Sequence, residues 1–129
     1  MKFPSPTTLE VLEASRVAWF ATLRRAGAPH LTPVWFVFSN EQFWIGTAAA
    51  NVKVKNVQAS PEVSLAIDGT GTLPVVAEGI ATIEARFSVH PDVVELFRLK
   101  YHGWDVSDES VDGPRVLLRI TVVRFLFGV

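Results

Sequence analysis

The segment Gly46-Thr47-Ala48-Ala49-Ala50-Asn51-Val52-Lys53-Val54-Lys55-Asn56-Val57 brings a hydroxyl, a run of small side chains and a lysine to the point where a strand gives way to a helix. That combination suits an anion. The first amides of a helix have no intrahelical acceptor and the positive end of the helix dipole adds to them, so a phosphate group fits there. The dipole contributes only ~0.3–1 kcal/mol in an exposed setting, against ~1.5–3 kcal/mol for a hydrogen bond to a charged group, which ranks Thr47 and Lys53 above the helix end itself. Asn51 stands at the N-cap position, and the small residues Gly46, Ala48, Ala49 and Ala50 let backbone approach a ligand. Lys53 and Lys55 are about 200° apart around a helix and do not grip one oxygen together. The plainer reading of the pair is two solvated lysines on a surface helix.

Four tryptophans, Trp19, Trp35, Trp44 and Trp104, offer flat faces for a ring or simply fill a core. Trp104 lies in an irregular stretch after a helix, where binding residues concentrate, and is the candidate site neighbour. Arg115, at the start of the last apolar run, is within reach of an anion or of a carboxylate. Glu78 and Glu84 fall on one face of a strand and suit either acid–base work or an ion pair. His30, His90 and His102 lack the spacing of a metal site, and His30 sits on a hairpin shoulder, where a histidine is commonly a surface residue. No Gly-x-Ser-x-Gly elbow, phosphate loop or Rossmann glycine fingerprint occurs, so neither a hydrolase nor a dinucleotide-binding fold has support.

The elements that must position these residues follow from periodicity and punctuation. Ser5-Pro6 caps a short helix ending near Ser15. Residues 16–25, 30–38 and 42–47 read as three antiparallel strands, separated by Ala26-Gly27-Ala28-Pro29 and Ser39-Asn40-Glu41. A helix over 51–59 is stopped by Ser60-Pro61; strands over 62–68 and 75–86 flank a turn at 69–74; a helix over 90–101 ends before Gly103; and 115–127 is the last strand. The fold predicted is mainly β: a six-stranded antiparallel split β-barrel with short flanking helices, formed by residues 1–129 as one domain.

With 129 residues, 49% of them hydrophobic, the chain can bury a single core. A formal net charge of -1 gives no basic face for nucleic acid. The absence of cysteine excludes disulfides and thiolate chemistry. No stretch has the length of a membrane span or the layout of a signal peptide, so a cytoplasmic location is expected.

Taken in order, His30-Leu31-Thr32-Pro33-Val34-Trp35-Phe36-Val37-Phe38, Trp44-Ile45-Gly46-Thr47, Lys53-Val54-Lys55-Asn56-Val57 and Ser60-Pro61-Glu62-Val63-Ser64-Leu65-Ala66-Ile67 resemble the pyridoxamine 5'-phosphate oxidase-like, FMN-binding split-barrel superfamily. The likeness covers about residues 10 to 127 and leans toward the flavin/deazaflavin (F420)-dependent oxidoreductase branch. It implies a homodimer with two cofactors at the subunit interface. Pro33, Val34 and Trp35 would meet the ring mostly through backbone, and Gly46, Thr47, Ala48, Asn51 and Lys53 the phosphate region, with Lys55, Asn56, Trp104 and Arg115 as further candidates. The cofactor implied is FMN or coenzyme F420, which share a phosphorylated ribityl chain; Ala49, where deazaflavin-binding relatives can carry a cation, weighs against the second. The activity implied is hydride exchange with a small organic substrate, with no side chain required as catalyst and no metal. A true pyridoxamine 5'-phosphate oxidase is not expected, because the arginine and histidine set of that enzyme's C-terminal segment is not found. The alternatives are a non-catalytic flavin- or haem-binding barrel and a structural barrel with a vestigial site.

Overall fold

The computed structural model describes residues 4–68 and 74–127. Three helices, α1 (Pro6–Ala14), α2 (Val52–Ala59) and α3 (Pro91–Lys100), accompany seven strands: β1 (Ala18–Leu23), β2 (Pro29–Val34), β3 (Val37–Ser39), β4 (Gln42–Ala48), β5 (Glu62–Ile67), β6 (Val75–Glu84) and β7 (Arg115–Phe127). The strands form one sheet in the order β2-β1-β5-β6-β7-β4-β3, every pairing antiparallel. Its two edges, β2 and β3, are separated in the chain only by Trp35 and Phe36. Three peptide steps from Val34 to Val37 span about 10 Å at most, so the sheet must curl until its edges nearly meet. That curl is the split barrel.

The expected single strand over 30–38 is thus two, and the strand count is seven rather than six. The run is apolar and β-prone throughout, but its first half pairs with β1 and its second with β4. The change of partner needs a break. Phe36 supplies it: its N–H donates to the Tyr101 hydroxyl at 2.9 Å instead of to a strand. A 3-10 turn at Phe87–Val89, not expected from the sequence, lets β6 end and α3 begin. Of the expected turn over 69–74, residues 69–73 lie outside the described residues.

The barrel interior is filled from alternate positions of the strands, with Phe20, Phe36, Phe43, Ile45, Leu65, Ile67, Leu118 and Ile120 all fully buried. A second cluster lies outside the barrel, where Val93 and Phe97 of α3 and Tyr101 at its C-terminal end cover Val37, Trp44 and Leu117. β4 is consequently buried on both faces, Phe43 and Ile45 inward and Trp44 under α3. The two clusters clamp the strand that leads into the candidate phosphate segment.

Local signals explain the helix ends. The Ser5 hydroxyl accepts from the Thr8 amide at 3.2 Å, with Pro6 in the first turn. Past α3, Gly103 takes φ +86° and its N–H closes on the Arg98 carbonyl at 2.8 Å, a left-handed stop that glycine permits cheaply. No helix among the described residues is long and apolar enough to cross a membrane.

Candidate functional site

A cleft of about 410 Å³ opens between the end of β2, the end of β4, the first turn of α2 and the loop over 104–114. From the residues singled out in the sequence it gathers Pro33, Val34, Trp35, Gly46, Thr47, Ala48, Lys53, Trp104 and Arg115. β4 carries Gly46 to Ala48 to the rim, and α2 turns Lys53 back toward it.

At the cation end, the Asn51 amide donates to the Thr47 hydroxyl oxygen at 2.7 Å. Because Thr47 accepts that bond, its own proton is left to donate. Asn51 is the N-cap by position, yet its side chain caps no helix amide and serves to orient Thr47. Lys53 is half-buried, and burial lowers its pKa from the usual lysine value. No carboxylate among the described residues is within ion-pair distance of it. A half-buried ammonium without an ion-pair partner, in one cleft with a hydroxyl proton left to donate, is a receptive place for an anion.

Another part of the cleft's lining is aromatic. Trp35, 44% exposed, lies flat on Tyr101 with centroids 4.5 Å apart and planes 8° apart, and meets Trp104 edge-on at 5.1 Å. Trp104 is held by its loop: Val106 is fully buried over Gly46, where a Cβ would overlap it. The loop's turns are closed by Asp105 and Asp108, whose carboxylates accept from the amides of Ser107 and Ser110, each at 2.9 Å.

Of the two partners expected of it, an anion or a carboxylate, Arg115 has a carboxylate in the structure. Its Nε donates to the Val106 carbonyl at 2.7 Å and its Nη1 to both Asp112 oxygens at 2.8 Å, so it ties the loop to β7. Lys55 and Asn56 are not in the cleft. Lys55 is exposed alongside Arg25 and Gln58, and Asn56 is buried, donating to the Thr22 hydroxyl at 3.0 Å. Asp108, Val111 and Asp112 line the cleft without having been singled out; for Asp108 the Asp-x-Ser spacing of the loop's turns was a sequence signal, and Val111 and Asp112 had none. Tyr101, read only as the end of a helix, proves to be the floor under Trp35. Glu84 bonds His90 at 2.9 Å and Glu78 pairs with Arg124 at 3.1 Å, both outside this cleft. Among the described residues no group of histidines and carboxylates could hold a metal.

The sequence profile of the family described as pyridoxamine 5'-phosphate oxidase matches residues 5–127. The chain belongs to that family. Among solved structures, a conserved hypothetical protein from Mycobacterium tuberculosis is 27% identical, with a TM-score of 0.77 over 97% of this chain and 84% of the other. An F420 reductase shares the fold at 19% identity and TM-score 0.71, over 90% of this chain and 93% of that one. So does HutZ, a haem storage protein from Vibrio cholerae, at 16% identity and TM-score 0.80, over 98% and 95%. No curated protein matches the sequence. Relatives with this family fold therefore differ in what they are named for, and the cleft's own chemistry must decide among them.

Proposed function

We propose that the protein is a homodimeric oxidoreductase that binds a phosphorylated flavin-type cofactor, FMN or F420, in the cleft and serves a small organic substrate. The observation that carries this reading is one cleft lined by two unlike sets of groups: a hydroxyl proton left to donate and an ammonium without an ion-pair partner, from Thr47 and Lys53, and a flat tryptophan backed by Tyr101. The volume lies within the usual range for small-molecule sites, about 300–1,000 Å³. Thr47 and Lys53 would hold the phosphate, and the Pro33–Trp35 backbone with the Trp35 ring would border the flat ring. The bound cofactor would supply the hydride or electron exchange. The protein's share is orientation and exclusion of water, which is why no nucleophile or acid–base pair is needed in the cleft.

The dimer is supported by the outer face of the sheet. Trp19 and Leu31 stand 46% and 60% exposed on neighbouring strands, and Ile80 and Val123 are exposed on β6 and β7. Such a row favours cover by a second copy of the chain. A haem-carrying reading draws on the HutZ likeness, but no histidine lines the cleft to ligate an iron, so the phosphorylated ring fits better.

The test is a parallel titration of ligand-free protein with FMN and with F420, repeated on Lys53→Ala. Loss of a charged hydrogen bond worth ~1.5–3 kcal/mol weakens the tighter ligand by roughly 10- to 150-fold. Failure of both cofactors to bind at micromolar concentration would end this reading.

A further inference from the structure

A second cavity, of about 300 Å³, lies between α1, β3 and α3 and shares no lining residue with the cleft. Its wall is formed by Leu9 and Leu12 of α1, Val37 and Phe38 of β3, and Leu96 and Leu99 of α3. Two charged residues join this apolar set, Lys100 at the end of α3 and Glu13 of α1. A lysine on a surface helix ordinarily lays its stem along apolar neighbours and keeps its charged head in water. Lys100 does otherwise. Its Nζ donates to the Leu12 carbonyl at 3.0 Å and stands 3.8 Å from the centre of the Phe36 ring.

The hydrogen bond that holds this amine does not require its charge. A neutral amine still donates an N–H to the Leu12 carbonyl and keeps its lone pair. The charges acting on it are Arg16, just past α1, and Glu13. Burial first, then Arg16, lower the pKa of Lys100 to about 8, and Glu13 opposes them. An appreciable fraction of chains therefore carry the free amine at pH 7.5, against roughly one in a thousand for an ordinary lysine. A lysine desolvated in an apolar pocket is the form in which this side chain attacks a carbonyl carbon.

We propose that this cavity captures apolar aldehydes, which Lys100 binds covalently and reversibly as an imine. The amine nitrogen adds to the carbonyl carbon, forming a C–N bond as the carbonyl π pair moves to oxygen, which takes up a proton while the nitrogen gives one up. The hydroxyl of this carbinolamine then leaves as water with a second proton, the nitrogen loses its last N–H, and the C=N bond forms. One water is released, and nothing is oxidised or reduced. The lining selects the aldehyde class. Carbon dioxide would leave a carbamate anion beside Glu13 in an apolar wall, whereas an aldehyde leaves a product that is uncharged when its imine is unprotonated, with its alkyl chain among the leucines. The site stands apart from the cofactor reading and does not rest on it.

The experiment treats the whole chain at pH 7.5 with propanal or hexanal in the presence of cyanoborohydride, and counts the reduced adduct at Lys100 and at the exposed Lys55 by peptide mass spectrometry. Lys100 is expected to carry the more adduct with either aldehyde. Each methylene taken from water adds about fourfold at full burial, so the ratio of Lys100 to Lys55 adduct should climb by roughly tenfold or more from propanal to hexanal. Leu99 is 65% exposed, so Leu99→Gln is expected to fold, as a thermal melt checks, and to lessen that climb several-fold. Should the variant melt early, the wild-type ratio decides alone. A Lys100 labelled no faster than Lys55 overturns the capture; so does a ratio that stays level between the two aldehydes, or a folded Leu99→Gln that keeps the full climb. FMN and F420 titrations on the same preparation report on the cleft separately, and either result leaves this one unchanged.

Discussion

Removing one oxygen from Tyr101 should test how the two edges of the barrel are held around the cleft. The hydroxyl accepts the Phe36 N–H at 2.9 Å, and its single proton is offered to the Arg16 carbonyl at 2.8 Å or the Phe36 carbonyl at 2.9 Å. Burial raises its pKa, against smaller opposing effects of the Phe36 backbone and Arg16, so the phenol stays protonated. Tyr101→Phe keeps the ring, and with it the stack on Trp35, but strands a buried amide at ~1–3 kcal/mol and forfeits a hydrogen bond at ~0.5–1.5 kcal/mol. A loss of about 2–4 kcal/mol is expected, or a fall in Tm of the order of 10 °C for a domain of this size. Urea unfolding at pH 7 measures the first and a thermal melt the second. Because the freed amide lies next to Trp35, the loosened backbone should also weaken cofactor binding several-fold, with less change in the response to Lys53→Ala. A stability within about 0.5 kcal/mol of wild type would refute the claim that this hydroxyl closes the break between β2 and β3.

Two further outcomes follow from single contacts. Gly46→Ala places a methyl inside the packing radius of Val106 Cγ2 and 3.7 Å from Trp104; since Val106 is fully buried and β-branched, the loop must lift, costing ~1–3 kcal/mol and altering tryptophan fluorescence. Lys100 donates to the Leu12 carbonyl at 3.0 Å with its ammonium 3.8 Å from the Phe36 ring, and burial, aided by Arg16 and opposed by Glu13, lowers its pKa from 10.5 to about 8. A lysine harder to protonate when folded means stability rises between pH 8 and 10.5, by at most ~3 kcal/mol and less where solvent screens the amine. Chemical denaturation across that window should show the rise in wild type and its loss in Lys100→Met; parallel curves would contradict it.

The strands were legible because β-prone runs and turn punctuation are local properties; which face of β1 is buried was not, since the strand buries Ala18, Phe20 and Thr22 and exposes Trp19 and Leu23. The break at Trp35–Phe36 was not, because nothing in that apolar run marks it; its cause is a hydroxyl 65 residues away, which only the closed sheet brings near. The same division holds at the cleft. Thr47 and Lys53 flank a strand-to-helix junction, so their proximity is set by a few consecutive residues. Asn56 lies one turn beyond Lys53 and only about 60° around the helix from it, so phase alone does not separate the two; what takes its amide out of the cleft is the buried bond to Thr22 on β1, a partner 34 residues away. Arg115 does line the cleft, as its place at the start of β7 suggested, but its partners there, Asp112 three residues before it and the Val106 carbonyl, are set only when the loop folds over Gly46. Charge type told where an arginine was, not whether its donors were already committed. His30 shows the converse: its hairpin position suggests a solvated ring, and the structure instead buries Nδ1 without a partner. Whether a polar atom finds a partner depends on its neighbours, and where those are far apart in sequence, as Phe36 and Tyr101 are, only the folded chain supplies them.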